Sequence, residues 1–316
     1  MTSTRGMAVT GLGTALPPTV LTNADLEQTL DTSDAWITER TGIRERRVGG
    51  STGELAAQAA RAALADAGVA AESVDLLILA TETPDALMPA TSAAVAGQLG
   101  LRCGSFDLNA ACAGFTYGLV VAERLVAGGL DRVLLVGSDS MWSITDHDDR
   151  NTAVLFGDGA GALVLEATAD EEAGVLGWDA GTDGTLGDIL ACDIGGTIRM
   201  DGQTVFKKAV RMVVDSCAAA LERAKLTGGD VDVFAPHQAN LRIIDAAAGR
   251  LGIPAERCSV ILDRTGNTSA GSIPLALAES RENGRLRDGS VVLVSGFGAG
   301  MTWASAVLRW ATQPIP

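Results

Sequence analysis

The stretch ALADAGVAAESVDLLILA, residues 63–80, has a counterpart in ALERAKLTGGDVDVFAPH, residues 220–237. Ala63-Leu64, Ala67 and Val74-Asp75 match Ala220-Leu221, Ala224 and Val231-Asp232, each at an offset of 157. In both copies a helical run is followed by an apolar strand, and the strand by a loop. The first loop is Thr81-Glu82-Thr83-Pro84-Asp85 and the second is Pro236-His237-Gln238-Ala239-Asn240. At the same offset Cys112 falls on Ser269, two residues from Asn267. Cys112 and Asn267 are therefore expected to open equivalent helices in two pseudo-symmetric halves. The seam falls near Glu171–Gly174, dividing the chain into 1–172, which carries Cys112, and 173–316, which carries His237 and Asn267.

Outward from the repeat, strands alternate with helices. Residues 74–80, 133–136, 231–235 and 291–295 read as buried strands, and 8–13 as a first strand with a glycine turn. Residues 54–67, 115–127, 206–224 and 241–251 read as helices. This alternation predicts an α/β fold with mostly parallel sheets.

The bulk composition fits such a fold. The chain has 316 residues, 47% of them hydrophobic, and 38 glycines, enough for a large, tightly packed core. No apolar run reaches the ~18 residues of a spanning helix. Met1–Arg5 leads directly into the first strand, which reads as a chain without a signal peptide. On that reading the glycosylation pattern Asn267-Thr268-Ser269 has no use, and a cytoplasmic location is expected. The five cysteines show neither metal nor disulfide spacing, which agrees. A net charge of −15 argues against nucleic acid as a partner. The few basic residues cluster: Lys207 and Lys208 are two of only three lysines, and Arg211, Arg242 and Arg250 lie on the same pair of helices. They read either as one basic face or as ordinary solvated helix surface.

Three segments carry chemistry. Cys112 lies in Asp107-Leu108-Asn109-Ala110-Ala111-Cys112-Ala113-Gly114-Phe115, between a strand and a helix. A helix N-terminus favours the thiolate, and small neighbours open the sulfur to a substrate. Alone, Cys112 reads as one more small buried residue. His237 follows a strand and a proline, at the sheet edge where ligands gather. The other histidine, His147 in Asp146-His147-Asp148-Asp149, reads as an exposed loop residue. Asn267 precedes a helical run as a capping residue would. Gly296-Phe297-Gly298-Ala299-Gly300 follows a strand, and its N–H groups suit either a hairpin or an oxyanion. Phe156-Gly157-Asp158-Gly159-Ala160-Gly161 lacks the lysine of a phosphate loop and reads as a tight turn. Taken together, Cys, His and Asn suit thioester chemistry, with the sulfur carrying an acyl group and two neutral donors holding an enolate.

Taken with further motifs, these segments resemble β-ketoacyl-acyl-carrier-protein synthase III, the initiating condensing enzyme of type II fatty acid synthesis. The additional motifs are Thr32–Ile37, Arg40–Arg46 and His237-Gln238-Ala239-Asn240-Leu241-Arg242. The resemblance spans essentially the whole chain. It implies a thiolase-like fold with stacked mixed sheets in an αβαβα arrangement, and a homodimer. It implies Cys112, His237 and Asn267 as catalytic residues, Gly298 with the Cys112 N–H as oxyanion hole, and Phe297 as an aid to decarboxylation. Thr32, Trp36, Arg40, Arg150, Phe206 and Asn240 would line the coenzyme A arm. Lys207, Lys208, Arg242 and Arg250 would receive an acidic carrier protein. Met88, in a segment partly reaching across the dimer, Met141 and Trp142 would bound the acyl pocket, with the bulky Trp142 either restricting it or pointing into the core. The implied substrates are acyl-CoA and malonyl-acyl carrier protein, with no tightly bound cofactor, no metal and no membrane partner. Glu82 departs from the pattern. An acid there is similar to 3-hydroxy-3-methylglutaryl-CoA synthase, where a Glu does acid–base work, but the plainer reading is an ion-paired or exposed side chain. Two alternatives stand beside the main reading: a related acyltransferase or condensing enzyme of secondary metabolism, and a non-catalytic partner subunit, which should lack Cys112.

Overall fold

The computed structural model describes residues 5–314; the Met1–Thr4 part of the leader reading lies outside the described residues. Two sheets form the frame. The first runs in the order Gly6–Ala15, Asp158–Thr168, Arg132–Ser140, Leu76–Ala80, Gly104–Leu108. The second runs Val233–Pro236, Val291–Gly298, Thr302–Arg309, Gly174–Thr182. All strands of the first sheet precede residue 172 and all strands of the second follow it.

The sheets are mixed, which corrects the expectation of mostly parallel pairing. Leu76–Ala80 is parallel to both of its neighbours, and Val233–Pro236 is parallel to Val291–Gly298. The remaining pairs in both sheets are antiparallel. For two of these pairs the connection accounts for the direction. No crossover helix separates Arg132–Ser140 from Asp158–Thr168, or Val291–Gly298 from Thr302–Arg309, so each second strand returns antiparallel.

Helices Gly114–Ala127 and Ser272–Glu282 each touch strands of both sheets and so form a central layer. Thr52–Ala67 and Thr91–Leu99 cover the outer face of the first sheet, and Gly202–Ala224 covers that of the second with Leu241–Leu251 packed against it. The result is five layers, αβαβα. The central core joins Phe115 and Leu119 to Ile78 and Leu135 on one side and to Val292 and Val294 on the other. The segment at Phe156–Gly161 is not a tight turn: Asp158–Thr168 is a fully buried strand. Its glycines are there for space, since a Cβ on Gly161 would lie 2.6 Å from the Pro274 side chain. Asp158 braces this region by accepting from Gly49 N at 2.6 Å and Trp142 N at 2.8 Å. Among the described residues no helix is long and apolar enough to cross a membrane.

The strand Gly6–Ala15 lies directly against the alanine-rich helix Thr52–Ala67. A Cβ on Gly13 would come within 2.2 Å of Ala63 N and 2.3 Å of Ala59 O, both backbone atoms that cannot yield. Gly97, on an exposed helix face, has nothing within 4 Å of its Cβ position. Gly13→Ala is therefore expected to destabilise by about 1–3 kcal/mol or more through overpacking. Gly97→Ala should stabilise by about 0.5–1 kcal/mol through helix propensity. Urea unfolding of the two variants beside the parent checks the opposed signs.

Candidate functional site

The loops at the C-terminal ends of strands from both sheets converge on one cavity of about 740 Å³. Its lining includes Glu82, Cys112, His237, Asn267, Phe297 and Gly298. Cys112 sits in a turn between Gly104–Leu108 and Gly114–Ala127, just after Ala111, whose φ of 46° is left-handed. The opposing strand presses on this turn. A Cβ on Gly298 would lie 2.7 Å from Cys112 N, and one on Gly296 would lie 2.7 Å from Ala113 Cα. No larger residue fits at either position, and the cysteine turn is held against the backbone of Gly296 and Gly298.

Cys112 is buried, and its Sγ donates to Glu82 Oε1 at 3.5 Å. Its acidity corrects a sequence expectation. Burial, and then the Glu82 carboxylate, push the thiol well above its ordinary value, so the helix start does not make a resting thiolate. The reading of Glu82 as ion-paired or exposed is also corrected. Glu82 forms no ion pair among the described residues, lies partly buried on the cavity wall, and accepts from Ser269 Oγ at 2.5 Å. Burial, reinforced by Asp139, pushes its carboxyl up to about 7.

His237 is buried at the end of Val233–Pro236, with Nδ1 2.8 Å from Ser272 Oγ. Burial lowers its basicity to about 3, so at neutral pH the ring is an uncharged imidazole. Phe297 meets the ring edge-on, with centroids 5.5 Å apart. Asn267 is fixed by its surroundings: its Oδ1 accepts from Ser269 N at 2.9 Å, which leaves the Nδ2 amide as the available donor. Two neutral donors thus share a cavity with a thiol, in a medium where hydrogen bonds are strong.

The remaining expected residues divide. Phe206 and Asn240 line the cavity. Arg40 and Arg150 both lie over the Trp36 ring, at 4.7 and 5.2 Å, and Asn240 Nδ2 donates to Arg40 O at 3.0 Å. These four form one patch at the cavity rim, and Thr32 nearby has a buried hydroxyl with no partner among the described residues. Lys207, Lys208, Arg242 and Arg250 are exposed on adjacent helices, with Arg242 5.1 Å over Phe206. Arg211 instead pairs with Asp215. Of the expected acyl-pocket residues only Met141 lines the cavity. Met88 is 85% exposed, and Trp142 is drawn away by stacking on His147 at 4.1 Å.

Sequence reading missed Asp139, Ser269 as a Glu82 partner, Ser272, and the segment 190–200 that forms one wall. Asp139 carried a visible signal, a carboxylate inside an apolar strand. The wall segment carried none, having neither periodicity nor motif.

The five-layer arrangement, with the cysteine on one half and its donors on the other, is that of the thiolase-like condensing enzymes, a class of acyltransferases. The family model described as 3-oxoacyl-[acyl-carrier-protein] synthase III matches residues 106–184, and that for its C-terminal part matches residues 221–310. A β-ketoacyl-[acyl-carrier-protein] synthase III from Roseiflexus castenholzii is 50% identical across 96% of this chain and 98% of the relative. The crystal structure of 3-oxoacyl-(acyl carrier protein) synthase III from Pseudomonas aeruginosa is 46% identical, covers 99% of this chain and 100% of that one, and superposes with a TM-score of 0.93. A priming β-ketosynthase from a polyketide pathway is 37% identical, with 98% of each chain covered and a TM-score of 0.92. The chain belongs to the 3-oxoacyl-[acyl-carrier-protein] synthase III family.

The raised Glu82 carboxyl has a consequence for stability. Its folded value of about 7 lies above the ordinary 4.5, so folding favours the protonated form. That contribution is fully present below pH 4.5 and is lost as pH rises through 7. Glu82→Gln is isosteric and permanently neutral. It is expected to raise the melting temperature relative to the parent at pH 8, with the gain shrinking at pH 5; calorimetry at both values checks this.

Proposed function

We propose that the protein catalyses the decarboxylating Claisen condensation of an acyl-CoA primer with malonyl-acyl carrier protein. The products are a 3-ketoacyl-acyl carrier protein, coenzyme A and carbon dioxide, and the step initiates type II fatty acid synthesis. The observation that carries this reading is the meeting of Cys112, His237, Asn267 and the Phe297-Gly298 edge in one cavity.

Cys112 attacks the primer thioester and becomes acylated, while its own N–H and that of Gly298 hold the oxyanion. Malonyl-carrier protein then enters. Neutral His237 and the Asn267 amide donate to its thioester oxygen, and loss of carbon dioxide leaves an enolate held by the two donors. The apolar Phe297 ring disfavours the malonyl carboxylate beside it and favours its departure as neutral carbon dioxide. The enolate carbon attacks the acyl-cysteine and releases the product.

The Trp36, Arg40, Arg150 and Asn240 patch, with Thr32 and Phe206, receives the coenzyme A arm. Stacked guanidinium groups suit both adenine and phosphate. Lys207, Lys208, Arg242 and Arg250 beside the rim orient the acidic carrier protein on an enzyme of net charge −15. Residues 1–172 and 173–316 act as two pseudo-symmetric halves, with the chemistry at their seam. The enzyme works in the cytoplasm as a homodimer, and the neighbouring exposed apolar side chains of Leu87 and Met88 support a contact there. It needs no tightly bound cofactor.

Incubation with acyl-CoAs from acetyl to long-chain, followed by intact mass and peptide mapping, tests the first half-reaction. A stable adduct on Cys112 is expected, and Cys112→Ser should form none. His237→Ala and Asn267→Ala should still acylate but lose malonyl decarboxylation by about 10²-fold or more, as for removal of an oxyanion donor. Loss of acylation with intact decarboxylation in those variants would overturn the assigned roles.

A further inference from the structure

We propose that Glu82 is a further catalytic residue, one that takes the Cys112 proton during acylation and returns it during condensation. The inference rests on the acyl-Cys112 reading above and adds a residue to it.

Among the described residues, the hydrogen-bond acceptor for Cys112 Sγ is Glu82 Oε1, at 3.5 Å. The same oxygen accepts from Ser269 Oγ at 2.5 Å, so the carboxyl is aimed at the sulfur and held there from the other half of the chain. Its backbone is fixed as well. Glu82 N donates to the buried Asp139 Oδ1 at 2.9 Å, and Thr83 gives the same oxygen its N–H and its hydroxyl. Glu82 lines the same cavity as Cys112. His237, the other candidate base, has Nδ1 occupied by Ser272, and its burial leaves it too weakly basic to deprotonate a thiol near neutral pH. The titratable groups around Glu82 are Cys112 on its turn, Asp139 at the end of Arg132–Ser140, Cys192 on the facing wall and His237 beside them. None is a cation at neutral pH, so a thiolate and a carboxylate together would lack a counter-charge. The pair is built to hold one negative charge and one proton between them.

The reaction then balances. In acylation the Sγ–H bond breaks and the proton passes to Glu82 Oε1. The sulfur forms its bond to the acyl carbon, and coenzyme A leaves as a thiolate that takes its proton from water. Glu82 is now neutral, so no carboxylate opposes the entering malonyl group. In condensation the carbon–carbon bond forms, the acyl–Sγ bond breaks, and the leaving Cys112 thiolate recovers the proton from Glu82. The net proton consumed is the one coenzyme A takes from water.

The test measures Cys112 acylation rates by intact mass between pH 5.5 and 9 for the parent, Glu82→Gln and Glu82→Asp. Gln retains the oxygen that accepts from Ser269. Acylation by Glu82→Gln is expected to fall about 10²-fold, the lower range for general acid–base catalysis. It should also lose the limb of the pH profile that the parent shows near 7. Glu82→Asp should recover part of the rate and restore a limb. Acylation of Glu82→Gln at the parental rate or faster would overturn the proposal and make Glu82 only a negative neighbour of the thiol. A parent that takes no acyl group from any coenzyme A thioester, or takes it elsewhere than Cys112, overturns the underlying reading before Glu82 is at issue.

Discussion

The site depends on one buried carboxylate. Asp139 closes the strand Arg132–Ser140, and its Oδ1 accepts from Thr81 Oγ1, Glu82 N, Thr83 N and Thr83 Oγ1, all at 2.8–3.1 Å. Its Oδ2 accepts from Ala270 N at 3.0 Å. A carboxylate taken from water is costly unless its lone pairs are filled, and here five donors fill them. They come from two loops that are 187 residues apart at Glu82 and Ser269. By binding both, Asp139 sets where Glu82 and the Asn267 loop stand relative to Cys112. Without it the donors would be buried unpaired, which costs more than the bonds contribute net.

Burial then moves Cys112, Glu82 and His237 alike toward their neutral forms. It raises the Cys112 thiol and the Glu82 carboxyl and depresses the His237 imidazole, so each favours its neutral form. In the condensation proposed above a neutral His237 suits an enolate, because a donor that keeps its proton stabilises an oxyanion without quenching it as an acid would. Cys112 and Glu82 reach the cavity from before residue 172, and His237, Asn267, Phe297 and Gly298 from after it.

Much of this was legible in the sequence because it rests on local pattern. The helix at 241–251 has the bounds its apolar spacing predicts, and the 54–67 and 115–127 helices extend only one or two residues further. The strands after Val74 and Val231 appear where the repeat predicts them. Parallel pairing was overestimated because strand direction depends on what connects two strands, and apolar runs do not record it. Cys112, His237 and Asn267 stood out as rare or loop-end residues. Glu82 was misread because its setting is fixed by Ser269, a partner distant in sequence. The thiol's acidity was misjudged for a related reason. A helix start is visible in sequence, while the depth of burial that outweighs it is not.

The glycine contacts beneath Cys112 bear on how this enzyme can diversify. Gly296 and Gly298 lie so close to the cysteine turn that one added methyl group collides with backbone on the other side. The catalytic floor therefore has almost no neutral mutational neighbours. The rim is the opposite: Ile194 lines the cavity yet stands 86% exposed, with little packed against it to lose. Selection for new acyl chains would accumulate changes at the rim, so close relatives would share a fixed floor and differ in the shape of the opening.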